Sequence, residues 1–280
     1  MTRRLPELLA DPISADYIAW CERENTPANT IKRRRAVLRS VGNAGVATRE
    51  EIEAWWTTQR HLKDSSRANA LAVLRSFYTW CQVWEHRIDN PTVRIKSPKP
   101  DEGAPKPYSA AELHKILAGI AQLGDRYREP LRRAALLGAW GGLRIEESTT
   151  LDWSEIDPDT RRARVTGKGR KTRVVKFSTK LIEELLPVPD GGGNVVTGRP
   201  RAWSVDHLGR LMNNAIRDAG VDGTYHRLRH RYGSVGYQRT KDPKALAEMM
   251  GHASVSTTLK FYAAAGSEAA DNIADAVVDD

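Results

Sequence analysis

Between Asn90 and Pro107 the chain carries Pro91, Pro98, Pro100, Pro105 and Pro107 among Lys96, Lys99 and Lys106, and apolar periodicity disappears. Proline fixes φ and removes a backbone donor, so such a stretch continues neither a helix interior nor a central strand. It reads as a semi-rigid, basic linker over 96–107. The linker divides the 280 residues into a domain over 1–95 and another over 108–280, each long enough to bury its own core.

Residues 1–95 read as four amphipathic helices punctuated by Pro27, by Gly42 to Gly45 and by Lys63 to Ser66. The strongest spans Ser66 to Val83, where Leu71, Leu74, Tyr78 and Cys81 recur at helical spacing and form a core stripe. The segment from Asn29 to Arg35 is expected to open a helix on a polar cap, with Lys32, Arg35 and Arg39 along one face. That spacing suits either the tracking of phosphates or an ordinary solvated basic face.

In the second domain Ser109 and Glu112 form a capping box, and helical pattern runs to about Leu151. Residues 161–177 alternate instead, and Gly167-Lys168-Gly169-Arg170 interrupts them, which predicts a β-hairpin with a strongly basic tip. Helices return after Gly191-Gly192-Gly193. Past Tyr262, the apolar residues Ala270, Ile273, Ala274, Val277 and Val278 predict a tail helix over about 266–278 in an acidic context. The fold class is therefore mainly α with a small β component: a helical first domain and an α+β second one.

Forty-four Lys and Arg against 35 Asp and Glu give a net charge of +9, which favours a polyanionic partner, nucleic acid first. No run approaches the roughly 20 apolar residues of a membrane span, and no apolar stretch follows Arg3-Arg4 as in a secretory signal. Cys21 and Cys81 are too few for a disulfide framework or a metal site. A cytoplasmic, nucleoid-associated protein with two buried thiols is expected.

Four local features have bland explanations when each is taken alone. Gly141-Gly142-Leu143-Arg144 puts an arginine after a helix-breaking glycine pair. His226 and Arg229 lie one helical turn apart on one face. Gly251 is placed to end a helix just before His252. Tyr262 follows ten residues later, where an aromatic pair with Phe261 would ordinarily belong to a core.

Together and in this order, these residues resemble the tyrosine recombinases of the phage integrase family, over nearly the whole chain and most closely from Arg144 to Tyr262. Arg144 stands in the family's glycine-leucine-arginine-isoleucine motif, Lys168 at the tip of its hairpin, and His226 with Arg229 in its histidine-x-x-arginine. His252 matches the second histidine and Tyr262 the nucleophile. The resemblance implies a helical, SAM-like core-DNA-binding domain followed by the catalytic domain. It implies DNA cleavage and rejoining through a 3′-phosphotyrosine, without metal, cofactor or ATP.

The chemistry also has reasons of its own. A phenol with a pKa of about 10 is a poor nucleophile, and an anionic phosphodiester resists attack. Arg144 and Arg229 can present forked donors to the non-bridging oxygens, and His226 and His252 can donate to the phosphate or relieve Tyr262 of its proton. Lys168 matches the family's general acid, with Lys171 a nearby rival. Glu147 is expected to fix a helix or Arg144 itself. Arg170 and Arg231 are further candidate DNA contacts.

The expected partners are double-stranded recombination sites, bound by a homotetramer with the tail docked either on its own domain or on a neighbouring protomer. The sequence specifies no accessory factor. The early start of the helical pattern leaves no space for a separate arm-binding domain, so short, simple sites are expected. Integration or excision of a phage or mobile element is the leading role, with chromosome-dimer or plasmid resolution, type IB topoisomerase activity and non-catalytic DNA-binding regulation as alternatives.

Overall fold

The computed structural model describes residues 11–99, 106–167, 169, 171–188, 192–252 and 254–262, with residues 257 and 260–262 described in backbone only. Lys168, Arg170 and the tail helix expected over 266–278 lie outside the described residues. The chain divides into two compact units, Met1–Gly103 and Ala104–Asp280.

The first unit contains α1 (Pro12–Arg23), α2 (Ala28–Val41), α3 (Arg49–Thr58), a short 3₁₀ turn at Gln59–His61, and α4 (Asp64–Val83). Each helix starts for a local reason. Asp11 caps α1 by accepting from the Ser14 N–H, with Pro12 at the first position. Thr48 and Glu51 close a capping box on α3. The α4 stripe forms the core as expected, with Leu71, Leu74, Tyr78 and Cys81 fully buried against Tyr17, Leu38 and Ile52. At about 1.5–3 kcal/mol for each large apolar side chain, such burial outweighs any single cap.

The start of α2 differs from the sequence expectation. Its cap position is Pro27, which gives no side-chain hydrogen bond, and Asn29 lies inside the helix. Proline holds φ near −54° there, and its carbonyl accepts from both the Thr30 and Ile31 N–H groups, so the turn starts without a polar side chain. The basic face is also less uniform than its spacing suggested. Lys32 is exposed, Arg35 pairs with Glu22 at 3.1 Å, and Arg39 is half-buried.

The second unit runs α5 (Ala110–Ala121), α6 (Asp125–Ala139), α7 (Ile145–Thr150), β1 (Ile156–Asp157), β2 (Arg162–Thr166), β3 (Thr172–Lys176), α8 (Thr179–Leu185), α9 (Val205–Asp218), α10 (Tyr225–Thr240), α11 (Pro243–Met250) and α12 (Val255–Tyr262). The Ser109–Glu112 box holds in both directions. The expected hairpin is present, with Thr166 opposite Thr172, but it belongs to an antiparallel sheet of three strands. Strand β1 is only two residues long, too short to leave an alternating pattern in sequence, and it pairs Ile156 with Ala163.

Helix α6 runs through the core, burying Leu131, Ala134, Ala135 and Leu137. It packs on α10 closely enough that a Cβ at Gly138 would lie 3.0 Å from the Tyr225 ring. Among the described residues no helix is long and apolar enough to cross a membrane.

Candidate active site

The residues around the Gly141-Gly142 turn are shaped by one backbone requirement. Gly142 adopts φ +68°, a left-handed conformation that glycine tolerates best, and a Cβ there would meet the Tyr232 ring at 2.5 Å. The turn ends α6 and delivers Arg144 to the start of α7. From there Glu147, one turn on and only 1% exposed, reaches back to accept the Arg144 N–H at 2.8 Å and Nη1 at 2.9 Å.

Glu147 is the hub of the site. Besides Arg144 it binds Arg173 of β3 through two parallel bonds, Nη1 to Oε1 at 2.7 Å and Nη2 to Oε2 at 3.0 Å, and it lies 3.7 Å from Nη1 of Arg229. Burial pushes the Glu147 carboxyl upward, but the Arg173 bonds, the Arg144 N–H and the charges of Arg173 and Arg229 outweigh it and hold the group below the usual carboxylate range. Three guanidiniums share this one carboxylate, so the cluster they form is net positive and suited to an anion.

The second anchor is the end of α11. This helix begins with Asp242 accepting from the Lys244 and Ala245 N–H groups, with Pro243 first in line, and ends on Gly251 at φ +63°. Its last carbonyls are not left to water. Met249 O accepts from Nε of Arg173 at 3.1 Å, Met250 O from Nη2 of Arg229 at 2.5 Å, and Gly251 O from Nη2 of Arg144 at 3.1 Å. Cations at a helix C-terminus also meet its negative dipole end. Arg229, 2% exposed, completes the frame by donating to Gly142 O at 2.5 Å.

A pocket of about 640 Å³ opens beside this frame, lined by Arg144, Arg173, His226, Gly251, His252 and, from the hairpin, Lys171. His252 follows directly from the Gly251 cap, and its Nδ1 lies 2.7 Å from the buried Thr258 Oγ1. Burial, and then Arg229, Arg144, Arg173 and His230, pull its pKa down to about 4. His226 keeps an exposed surface, yet enough protein crowds its ring that partial burial, joined by Arg229 and Arg144, lowers its pKa too. His230 is half-buried edge-to-face against His226 at 4.6 Å, and burial, His226, Arg229 and Arg227 bring its pKa to about 4.

Of the residues singled out in sequence, Arg144, Glu147, His226, Arg229 and His252 therefore meet in one place. Tyr262 ends α12, whose Thr258 touches His252; its side chain lies outside the description, as do Lys168 and Arg170. Arg231 donates to the Tyr108 carbonyl at 2.9 Å, a tie to the start of the second unit. Sequence reasoning missed Arg173 and Thr258. A signal for Arg173 was available, because alternation along β3 puts it on the same face as the buried Val175, with the exposed Val174 opposite. For Thr258 there was none.

Comparison with known proteins supplies the family. The model of the phage integrase family matches residues 110–268. The tyrosine recombinase XerC of Herpetosiphon aurantiacus is 29% identical over 239 residues, covering 79% of this chain and 77% of that protein. XerC of Haemophilus influenzae strain PittEE is 31% identical over 216 residues, covering 70% of each. Among solved structures, a lambda integrase dimer bound to a COC′ core site superposes with a TM-score of 0.73 at 17% identity, covering 89% of this chain and 75% of that one. The Tn1549 transposon integrase in complex with transposon right end DNA gives 0.72 at 18%, covering 97% and 100%. The chain belongs to the phage integrase family of tyrosine recombinases, enzymes that cut and rejoin DNA at specific sites.

Proposed function

We propose that this recombinase cuts each strand through attack of Tyr262 on the scissile phosphate, and that its role is integration or excision of a phage or mobile element. The observation that carries the chemistry is the pocket in which Arg144, His226 and His252 meet above the Arg229–Glu147 frame. Arg144 and Arg229 bind the non-bridging oxygens and strengthen as charge builds in the pentacoordinate transition state, each contact supplying about 3 kcal/mol. Burial and the neighbouring arginines lower the pKa of both histidines, which favours the neutral ring with one N–H and one acceptor nitrogen. Either can hydrogen-bond the phosphate or take the Tyr262 proton. The Oη–P bond forms as the P–O5′ bond breaks, and a hairpin lysine, Lys168 by resemblance or the pocket-lining Lys171, protonates the leaving oxygen.

The proposed partners are double-stranded recombination sites bound by four copies of the chain, acting in the cytoplasm where the DNA lies. A lambda integrase tetramer bound to a Holliday junction is among the similar folds, at a TM-score of 0.71 and 17% identity. Lys32, Arg35, Arg39, Arg170 and Arg231 are proposed contacts to the DNA backbone, and the tail is proposed to link protomers. Relatives named XerC favour a second reading, resolution of chromosome or plasmid dimers.

The test is covalent capture. Wild-type and Tyr262→Phe proteins are incubated with nicked duplexes selected from randomised core sequences, and protein-linked strands are sought. An adduct with the wild type alone supports the reading. An adduct that persists in the Phe variant assigns the nucleophile elsewhere, and no adduct from either removes the reading.

A further inference from the structure

We infer that Arg173 is a positioning residue for the departure of the 5′ oxygen, because it locks the turn end of the β2–β3 hairpin, where it pairs with Val165, onto the frame that holds the two proposed phosphate-binding arginines. The inference rests on the recombinase reading above. Arg173 lies one residue inside β3 and is 15% exposed at its side chain. Both terminal nitrogens are spent on Glu147, at 2.7 and 3.0 Å, and Nε on Met249 O at 3.1 Å. Its donors thus point at the acidic hub and at the end of α11, and each of these also holds Arg144 and Arg229.

The surroundings are fitted to that fork. A Cβ at Gly251 would lie 2.8 Å from Nη1 of Arg173, and a Cβ at Gly167, the first residue of the hairpin turn, 2.9 Å from Oε1 of Glu147. Two glycines therefore leave space for the pair, one on α11 and one on the hairpin. The hairpin itself is short: the turn closes with the Gly167 N–H on Lys171 O at 2.9 Å, just beyond the last strand pair. A lysine carried on that turn has its distance to the bound phosphate set by where the strands are fastened, and Arg173 is a bidentate, buried fastening between β3 and the hub.

The role separates from a general structural one through the leaving group. With the natural substrate the P–O5′ bond breaks as the lysine ammonium gives its proton to O5′ and becomes a neutral amine. With a 5′-bridging sulfur, the P–S bond breaks and a thiolate leaves, which at a thiol pKa of roughly 8.5 needs no proton from the protein.

Single-turnover cleavage is measured on the selected duplex with oxygen or sulfur at the bridging position, for wild type, Arg173→Ala and Arg173→Lys. Melting curves show whether the alanine variant is folded; if it is not, the lysine variant carries the comparison. On the oxygen substrate the alanine variant is expected to be about 100-fold slower, and the lysine variant, which keeps the charge but not the fork, about 10-fold. On the sulfur substrate both are expected within about 3-fold of wild type. Equal losses on the two substrates would mean that Arg173 serves the phosphate frame or the fold, and unchanged oxygen cleavage would mean that it is dispensable; either result overturns the inference. Failure of the wild type to form an adduct with any selected duplex overturns the underlying reading instead.

Discussion

Replacing Glu147 with glutamine isolates the hub, because the side chain keeps its size and loses its charge. In the native protein Oε1 accepts from Nη1 of Arg144 and Nη1 of Arg173, while Oε2 accepts from the Arg144 N–H and Nη2 of Arg173. An amide has one accepting oxygen, so whichever way it is turned its NH₂ faces two donors. Removing one partner of a buried ion pair costs about 3–5 kcal/mol, and three guanidiniums would lose their common carboxylate at once. For a unit of this length each kcal/mol lowers the melting temperature by about 2–4 °C, so Glu147→Gln is expected to melt about 6–20 °C below wild type in the absence of DNA. The gap should be pH-dependent with a definite sign. The folded carboxyl lies below its unfolded value, so its contribution is fully present above the unfolded pKa of about 4.3 and is lost as pH falls through the folded pKa. Melting of both proteins by circular dichroism from pH 7.5 down to 3 measures this. A variant within about 3 °C of wild type at pH 7.5, or a gap that widens on acidification, refutes the hub.

Further outcomes follow from the same geometry. His230 and His252, each near pKa 4 in the fold, bind fewer protons than in the unfolded chain, so urea midpoints should fall as pH drops from about 6.5 toward 4, and the joint replacement of both by Asn should flatten that decline. Thr258→Val removes the 2.7 Å contact to Nδ1 of His252 and is expected to slow adduct formation about 5-fold while gel-shift affinity for DNA stays unchanged, with Thr258→Ser restoring the rate. Gly142→Ala places a Cβ 2.5 Å from the Tyr232 ring at φ +68° and should cost about 2 kcal/mol or more in chemical denaturation.

The sequence already carried the residues that meet at the pocket and the helices that present them, because both leave local marks. Ser109 with Glu112, and Asp242-Pro243 with Gly251, announce helix ends through backbone donors and acceptors that must be satisfied nearby. The α4 stripe is legible for the same reason, at one apolar residue every three or four positions. What was not legible depends on contacts between distant segments. Strand β1 exists because Ile156 and Asp157 find β2, and the start of α2 rests on the Pro27 carbonyl in place of the polar cap that Asn29 suggested. Arg173 looked like one more cation in a basic hairpin, although its place beside Val175 on the inner face set it apart.

The arrangement of the three arginines explains how so much positive charge is held at fixed positions. A bare cluster of guanidiniums would repel and swing into water, where each is well solvated and a phosphate would have to order it again. Here one buried carboxylate and three consecutive carbonyls at the end of α11 hold Arg144, Arg173 and Arg229 at fixed positions. The cost of ordering is met in folding, so the phosphate contacts proposed for Arg144 and Arg229 would add interaction without new loss of side-chain entropy. The same carbonyls place His252, the residue after Gly251, so the α11 terminus sets the position of the arginines and of the histidine together. A change at Gly251 would therefore displace the arginines and His252 together, which a separate loop for each would not do.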